Sequence, residues 1–153
     1  MAQTTVDTVE GVQGLVGQHL GSSDWVEITQ EMVNRFAEAT GDHQWIHVDP
    51  ERAAKESPFG GPIAHGYLTL SLLPMLLPQI VEITGFKLTV NYGTEKVRFP
   101  APVPVGSRVR ASAVCDSVTP IEGGVQMLVT VTMEIEGGSK PAMVATSVSR
   151  RYV

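Results

Sequence analysis

The chain has 153 residues, of which 42% are hydrophobic and 18% charged, and its formal net charge at pH 7 is −5. This length and composition predict a single globular domain over residues 1–153 and exclude a disordered chain or a coiled coil. The acidic balance argues against a nucleic-acid partner, because phosphate binding needs a concentrated basic face.

The sequence holds no segment that we expect to cross a bilayer. Its most apolar stretch, Tyr67 to Val81, is interrupted by Pro74 and Pro78. It is also shorter than the roughly 20 residues that a membrane helix needs. The N-terminus lacks the basic residues of a secretory signal, and the lone Cys115 is typical of a reducing compartment. We therefore expect a cytoplasmic protein.

Charge is distributed unevenly along the chain. Residues 1–86 carry 3 basic and 11 acidic side chains, whereas residues 87–153 carry 8 basic and 5 acidic ones. We therefore expect an anionic ligand to contact the second half.

The first elements in chain order are two helices separated by a strand. A short helix is expected over residues 9–20 and a strand over 24–29. Thr29 is a suitable N-cap for the second helix, whose apolar residues recur at helical spacing from Gln30. Gly41 stands where that helix should end.

Asp49 and Pro50 predict the start of another short helix, because Asp is a good N-cap and Pro a good first-turn residue. That helix is expected over residues 51–57. The intervening segment, residues 42–48, is then a loop that is fixed at both ends.

A strongly apolar helix is predicted over residues 66–77. Its apolar side chains spread around the whole circumference, which is typical of a helix buried on all sides. Pro74 lies inside it and should kink or shorten it, since proline removes one backbone hydrogen bond and crowds the preceding turn.

The chain after residue 86 changes to the two-residue period of half-buried strands. A phase change predicts a bulge near Gly93, and glycine pairs at 123–124 and 137–138 predict turns. Strands are expected over residues 87–99, 108–118, 125–136 and 143–152. An antiparallel sheet with one apolar face must cover that face, so the sheet should wrap the apolar helix in an α+β fold.

Asp42 and His47 are the candidate acid–base residues. At neutral pH a carboxylate accepts protons and an imidazole can accept or donate them, so the two could hold one water between them. The spacing is equally compatible with a turn aspartate and a partly exposed loop histidine.

Gly66 is the candidate for binding a developing negative charge. The first N–H groups of a helix are unpaired and lie at the positive end of its dipole, so the Gly66 N–H could donate to a carbonyl oxygen during reaction. The alternative is an ordinary helix start with His65 packed or capping.

A metal site is not expected, although several His and Asp side chains lie close in sequence. His43 and His47 have i, i+4 spacing, but no glutamate accompanies them as in the zinc-protease helix. Gly41 and Pro50 also argue against a helix that would bring the two imidazoles together.

Two motifs give the sequence a recognisable character. Phe36-Ala-Glu-Ala-Thr-Gly-Asp-His-Gln-Trp-Ile-His47 is followed by Asp49-Pro50 and by Gly61-Pro-Ile-Ala-His-Gly-Tyr-Leu68. Together with Phe99-Pro-Ala-Pro-Val-Pro-Val-Gly106, they strongly resemble the MaoC-like (R)-specific enoyl-CoA hydratase family, especially its NodN-like branch. The resemblance covers roughly residues 25 to 150.

The resemblance implies a hot-dog fold, in which a long antiparallel sheet wraps one central helix, and a homodimer. By position, Asp42 and His47 match the catalytic pair of the family, and Gly66 matches the glycine whose N–H receives the thioester oxygen. The implied reaction adds water to trans-2-enoyl-CoA and gives (3R)-3-hydroxyacyl-CoA, with coenzyme A as part of the substrate and no separate cofactor.

The motif departs from the family pattern at Gln44-Trp45, where Asn-Pro is usual, and this puts the acyl chain length in doubt. Two other functions remain open: a 3-hydroxyacyl dehydratase that acts on acyl-carrier-protein substrates, and a non-catalytic acyl-thioester-binding subunit. Retention of both Asp42 and His47 disfavours the second.

The candidate substrate-binding residues combine the resemblance with the basic excess of the second half. They are Gly66, Gln44, Tyr67, Tyr92, Gly93, Lys96 and Arg98. Lys96 and Arg98 share one strand face, as do Arg108 and Arg110, so each pair is a candidate for the coenzyme phosphates. A solvated outer face of the sheet is an equally good interpretation of these charges.

Overall fold

The computed structural model describes residues 4–153, which alternate helices and strands before a long antiparallel sheet. The helices are α1 (Val9–Gln13), α2 (Gln30–Thr40), α3 (Trp45–Val48), α4 (Pro50–Glu56), α5 (Gly66–Ser71) and α6 (Leu73–Ile80). The strands are β1 (Thr4–Val6), β2 (His19–Ser22), β3 (Val26–Glu27), β4 (Val81–Ile83), β5 (Leu88–Arg98), β6 (Arg108–Ile121), β7 (Gly124–Ile135) and β8 (Met143–Tyr152).

The main sheet has the strand order β2-β6-β7-β8-β5, and β3 also pairs with β6. All of its neighbouring strands are antiparallel. The predicted turns at Gly123 and Gly137 are present, with φ values of 78° and 76° that favour glycine. The short strands β1 and β4 form a separate parallel pair.

The two-residue period of β6 and β7 is a burial pattern, as predicted. In β7, Val125, Met127, Val131 and Met133 are buried, while the residues between them are half-exposed. The buried face of the sheet packs against α6 through β6 and β2, and Leu76 of α6 is 1% exposed. The sheet therefore wraps the apolar helical segment.

The predicted helix over residues 66–77 is divided into α5 and α6 at Leu72. Pro74 lies in the first turn of α6, where the missing N–H has no helical acceptor to lose. The expectation of burial on all sides is wrong, because Tyr67 is 71% exposed and Met75 46% exposed. Only one face of each helix meets the core.

Two expectations near the N-terminus also need correction. The helix predicted over 9–20 ends at Gln13, and the chain then turns through Gly17, which has a φ of 79° and donates to the Cys115 carbonyl. This tie leads directly into β2. The strand predicted over 24–29 is reduced to Val26–Glu27.

The helix boundaries around the candidate loop are confirmed. Thr29 accepts a hydrogen bond from the Met32 N–H as N-cap of α2, and Gly41 ends that helix with a φ of 80°. Asp49 caps α4 by accepting from the Arg52 N–H at 3.1 Å. The helices on either side of residues 42–48 are thus fixed by their own caps.

Strand β5 forms one edge of the sheet and differs from the other long strands. Its pairing with β8 shifts register between Asn91 and Gly93, as predicted, and again between Thr94 and Lys96. Nearly all of its residues are exposed, including the apolar Leu88. Among residues 4–153, no helix has the length and hydropathy that crossing a membrane requires.

Candidate active site

The segment between α2 and α4 is shaped by the Asp42 side chain. The Gln44 N–H donates to Asp42 Oδ1 at 3.3 Å, so the carboxylate bridges two residues of its own turn. The chain then forms the short helix α3 over Trp45–Val48, where a loop was predicted. Gln30 Nε2 donates to the His47 carbonyl at 2.7 Å and ties this helix to α2.

His47 is buried and held in one tautomer. Its Nδ1 lies 2.7 Å from the Ile63 carbonyl oxygen, which only accepts hydrogen bonds, so Nδ1 carries the proton and Nε2 keeps its lone pair. Burial lowers the pKa of His47 below 6.5, and the neighbouring His65 lowers it further, while the Ile63 carbonyl and Asp42 oppose the shift. His47 is therefore suited to accept a proton at Nε2.

His65 completes the cluster and was missed as a site residue. It is 3% exposed, and its ring stacks on that of His47 with centroids 4.0 Å apart. Its Nε2 donates to the Asp42 main-chain oxygen at 3.0 Å and lies 4.0 Å from Asp42 Oδ2. The available signal was its position directly before Gly66.

Asp42, His47 and His65 each place one side-chain donor atom within 4.8 Å of the others, a grouping in which a metal ion is conceivable. The two imidazole rings are stacked, with centroids 4.0 Å apart and planes that differ by 26°, so their in-plane lone pairs lie in two nearly parallel planes. His65 Nε2 also carries the proton that it donates to Asp42. The geometry favours acid–base chemistry over metal binding.

Gly66 is the first residue of α5, as predicted. Its N–H has no hydrogen-bond acceptor in the described part of the chain. A Cβ at this position would lie 3.2 Å from the Phe99 ring, so the site is tight for any larger residue. The helix start thus leaves one free donor beside Phe99.

A cleft of about 340 Å³ brings His47, Gly66 and Phe99 together. Its remaining lining is largely apolar and comes from the segment before α5, from α5 itself and from the connection between β5 and β6. The residues added by these segments are Phe59, Ile63, Ala64, Thr69, Ala101, Pro102 and Val103, and Ala142 is added by the connection between β7 and β8. A polar reacting group and an apolar chain can both be accommodated here.

The other predicted substrate-binding residues are more dispersed. Gln44 is exposed and adjoins the cluster through its N–H. Tyr67 lies beside the cleft, with its ring edge-on to Phe99 at 6.3 Å. Tyr92 and Gly93 lie in the middle of β5 and do not line the cleft, and Tyr92 is covered by the Arg150 guanidinium at 3.6 Å from its ring centroid.

The four basic candidates fall into two kinds. Arg110 forms an ion pair with Glu134 of the neighbouring strand β7, and Arg108 forms one with Glu136, which directly follows β7 and raises the pKa of Arg108. Lys96 and Arg98 are exposed on β5 and have no carboxylate partner within residues 4–153. Arg98 directly precedes Phe99 of the cleft.

Lys96 and Arg98 are therefore the better placed pair for an anionic group of a ligand bound in the cleft. The charges of Arg108 and Arg110 are already compensated by glutamates.

Comparison with known proteins gives one consistent result. The family model described as "MaoC like domain" matches residues 12–136. The chain is 57% identical over 147 residues to "3-hydroxyacyl-thioester dehydratase Z" of Mycobacterium tuberculosis, covering 95% of this chain and 97% of that protein. It is 48% identical over 143 residues to "Nodulation protein N" of Rhizobium meliloti, covering 90% and 87%.

The fold is also shared with solved structures. The (R)-hydratase from A. caviae involved in PHA biosynthesis aligns with a TM-score of 0.71 and 28% sequence identity, over 88% of this chain and 94% of that one. The described residues accordingly have the predicted hot-dog fold, with a long antiparallel sheet wrapped around α6.

Proposed function

The chain belongs to the MaoC-like domain family of hydratases and dehydratases, and from that premise we propose that it is an (R)-specific enoyl-CoA hydratase. It adds water to trans-2-enoyl-CoA and forms (3R)-3-hydroxyacyl-CoA. The observation that carries the proposal is the placement of the Asp42 and His47 side chains within 4.8 Å of each other, next to a cleft lined by His47 and Gly66.

The tautomer of His47 supports a role for this residue as the first proton acceptor. Because Nδ1 donates to Ile63, only Nε2 can accept a proton from the reacting water. As one O–H bond breaks, the water oxygen bonds to C3 and the electrons of the double bond move toward the thioester oxygen. The imidazolium then returns the proton to C2 on the same face, which completes the addition of one water.

Asp42 and Gly66 stabilise the charges that this sequence creates. The Asp42 carboxylate accepts the second hydrogen of the water and favours the transient imidazolium. The free Gly66 N–H donates to the thioester oxygen, where negative charge accumulates in the enolate. His65 holds Asp42 and His47 in position next to each other, through its hydrogen bond to the Asp42 carbonyl and its ring contact with His47.

The direct test is to incubate the purified protein with enoyl-CoA substrates of increasing chain length and to follow the loss of conjugated-thioester absorbance. Chiral analysis of the product should give the 3R enantiomer. Tight binding of every substrate without turnover would instead identify a non-catalytic acyl-thioester-binding subunit.

A second candidate is dehydration of a 3-hydroxyacyl group carried by an acyl carrier protein. It is favoured by the 57% identical relative, whose name is that of a 3-hydroxyacyl-thioester dehydratase. The same groups would act in reverse, with His47 removing the proton from C2. Comparing kcat/KM for one acyl chain on coenzyme A and on carrier protein distinguishes the two, and a preference for the carrier of tenfold or more would favour this candidate.

We also propose that the protein acts in the cytoplasm as a homodimer, without a cofactor beyond the coenzyme A of its substrate. Support for a second copy comes from β5, whose apolar side chains Leu88 and Val90 are 56% and 37% exposed at the sheet edge. Exposed apolar residues on an unpaired edge strand are typical of an interface.

A further inference from the structure

Thr69 places a hydroxyl group in the wall of the cleft. The residue is 2% exposed and lines the cleft together with His47 and Gly66. No hydrogen bond joins its hydroxyl to any other group within residues 4–153. A largely buried residue thus presents to the cleft a hydroxyl group that has no partner within residues 4–153.

The other helical hydroxyl groups show how this one differs. Ser71 Oγ donates to the Tyr67 carbonyl at 2.6 Å, and Thr40 Oγ1 donates to the Phe36 carbonyl at 2.8 Å. Both use the carbonyl four residues earlier, which is the usual acceptor for such side chains. Thr69 has the carbonyl of His65 at the same spacing, and its hydroxyl does not bond to it.

The hydroxyl oxygen of Thr69 is open to the cleft. It is not among the fully buried side-chain atoms that lack a hydrogen-bond partner within residues 4–153. The rest of the residue is buried, and the hydroxyl is not used by another group of the described residues. A molecule bound in the cleft can therefore accept a hydrogen bond from it.

We propose that the Thr69 hydroxyl is a second hydrogen-bond donor to the thioester carbonyl oxygen of the substrate, alongside the Gly66 N–H. Gly66 and Thr69 are three residues apart in α5 and therefore lie on the same side of that helix. A carbonyl oxygen has two lone pairs, and two donors from one helix can each bind one of them. The inference rests on the proposed thioester chemistry and adds a binding residue to it.

Two variants and a matched control test the hydroxyl alone. Thr69→Val removes it with little change in shape, and we expect kcat on crotonyl-CoA to fall roughly 10- to 100-fold, because the lost donor stabilises charge that develops in the transition state. Thr69→Ser keeps the hydroxyl and should recover most of that loss. Thr119→Val, at an exposed position of β6, should match the wild type.

Thermal unfolding separates this role from a structural one. Thr69→Val should melt at the wild-type temperature or above it, since no hydrogen bond within the chain is lost. If Thr69→Val keeps at least half of the wild-type kcat/KM, or loses activity only in proportion to lost folded protein, the proposal is overturned.

Binding of butyryl-CoA, a saturated thioester that cannot react, separates this inference from the proposed function. We expect its Kd to rise about three- to tenfold in Thr69→Val and to change little in Thr69→Ser. If the wild type hydrates no enoyl-CoA but its Kd for butyryl-CoA is still lower than that of Thr69→Val, the Thr69 contact is supported and the proposed reaction is overturned. An unchanged Kd together with unchanged kcat overturns the contact, and absence of both turnover and binding overturns both proposals.

Discussion

The two regions that hold the candidate residues differ in whether their polar side chains have partners among the described residues. Around α3 and α5, His47 and His65 are buried, and each makes a hydrogen bond to a main-chain oxygen. On β5, Lys96 and Arg98 are exposed and have no acidic partner in the described part of the chain. The fold itself fixes the groups that transfer protons, whereas the groups suited to recognition remain available to a ligand.

The strongest test of this difference is to remove the two groups proposed to hold the water, the exposed Asp42 and the buried His47. Asp42→Asn and His47→Ala should each lower kcat by roughly 100-fold or more, because each removes a positioned acid or base. The double variant should be little worse than the poorer single one, since both residues act on the same water. Steady-state kinetics on crotonyl-CoA measures all three.

Asp49→Asn is the matched control for the aspartate, because Asp49 caps α4 outside the cluster and asparagine also caps helices well. It should retain wild-type turnover. Near-normal kcat in Asp42→Asn or His47→Ala, with an unchanged melting temperature, would show that the proposed pair is wrong.

Much of the fold followed from periodicity and from helix caps. The two-residue alternation over 125–135 predicted β7 correctly, because its odd-numbered residues contact the core. Thr29 and Gly41 predicted the ends of α2 correctly, because each makes the expected capping contact. The errors occur where tertiary contacts override local pattern. Helix α1 ends at Gln13 with Gly14 as its C-cap, and Gly17 then bonds to Cys115 far along the chain. No local signal in the sequence indicates that distant contact.

The candidate site was predictable where chemistry and motif coincide, at Asp42, His47 and Gly66. His65 and Thr69 were missed as site residues because a lone histidine or threonine in an apolar helical segment is usually part of the core. Their importance depends on what the fold places beside them. His65 lies next to the Asp42 carbonyl, and Thr69 lies in the wall of the cleft. The sequence places His65 directly before Gly66, but it does not indicate either of these surroundings.

The next test compares the exposed basic residues of β5 with the ion-paired arginines of β6 as contacts for the coenzyme phosphates. Reversing the charge at Lys96 or Arg98 should raise KM for a coenzyme A thioester by up to about tenfold and leave kcat nearly unchanged, since binding of the ground and transition states would weaken alike. The effect should be smaller at high salt, where exposed charges are screened. Kinetics at two ionic strengths measures both.

Arg108→Glu and Arg110→Glu are the matched controls, because these arginines are already engaged by Glu136 and Glu134. They should cost stability and leave KM unchanged. A short thioester without the nucleotide should show no KM change in any of the four variants. Equal KM changes for the full and the shortened substrate would place the coenzyme phosphates elsewhere.

The molecular mass in solution tests whether strand β5 contacts a second copy of the chain, because a dimer has twice the mass of the monomer. The wild type should have twice the 16.4 kDa monomer mass in light scattering, and Val90→Asp should reduce it by placing a charge on the exposed apolar face of β5. Val16→Asp introduces the same charge at a 45% exposed valine outside the sheet and should stay dimeric. A wild-type monomer at micromolar concentration would contradict the homodimer.

The smallest expected effect concerns how pH acts on the buried region. Burial lowers the pKa of His47 below its ordinary value of 6.5, so between the folded and the ordinary pKa the unfolded chain binds more protons than the folded one. The free energy of unfolding should therefore decrease as the pH falls below about 6.5, and this contribution is fully present above that value. Denaturant unfolding between pH 8 and pH 5 should show a steeper loss in the wild type than in His47→Gln.

The same shift predicts the acidic limb of the activity profile, since turnover needs an unprotonated Nε2. The apparent pKa of kcat/KM should lie below 6.5, so that activity persists at pH values where an ordinary imidazole is mostly protonated. His43→Gln changes an exposed histidine of the same segment and should leave both the unfolding slope and the acidic limb as in the wild type. An acidic limb at or above 6.5, or a His43→Gln variant that loses the slope, would show that burial of His47 does not control the proton acceptor.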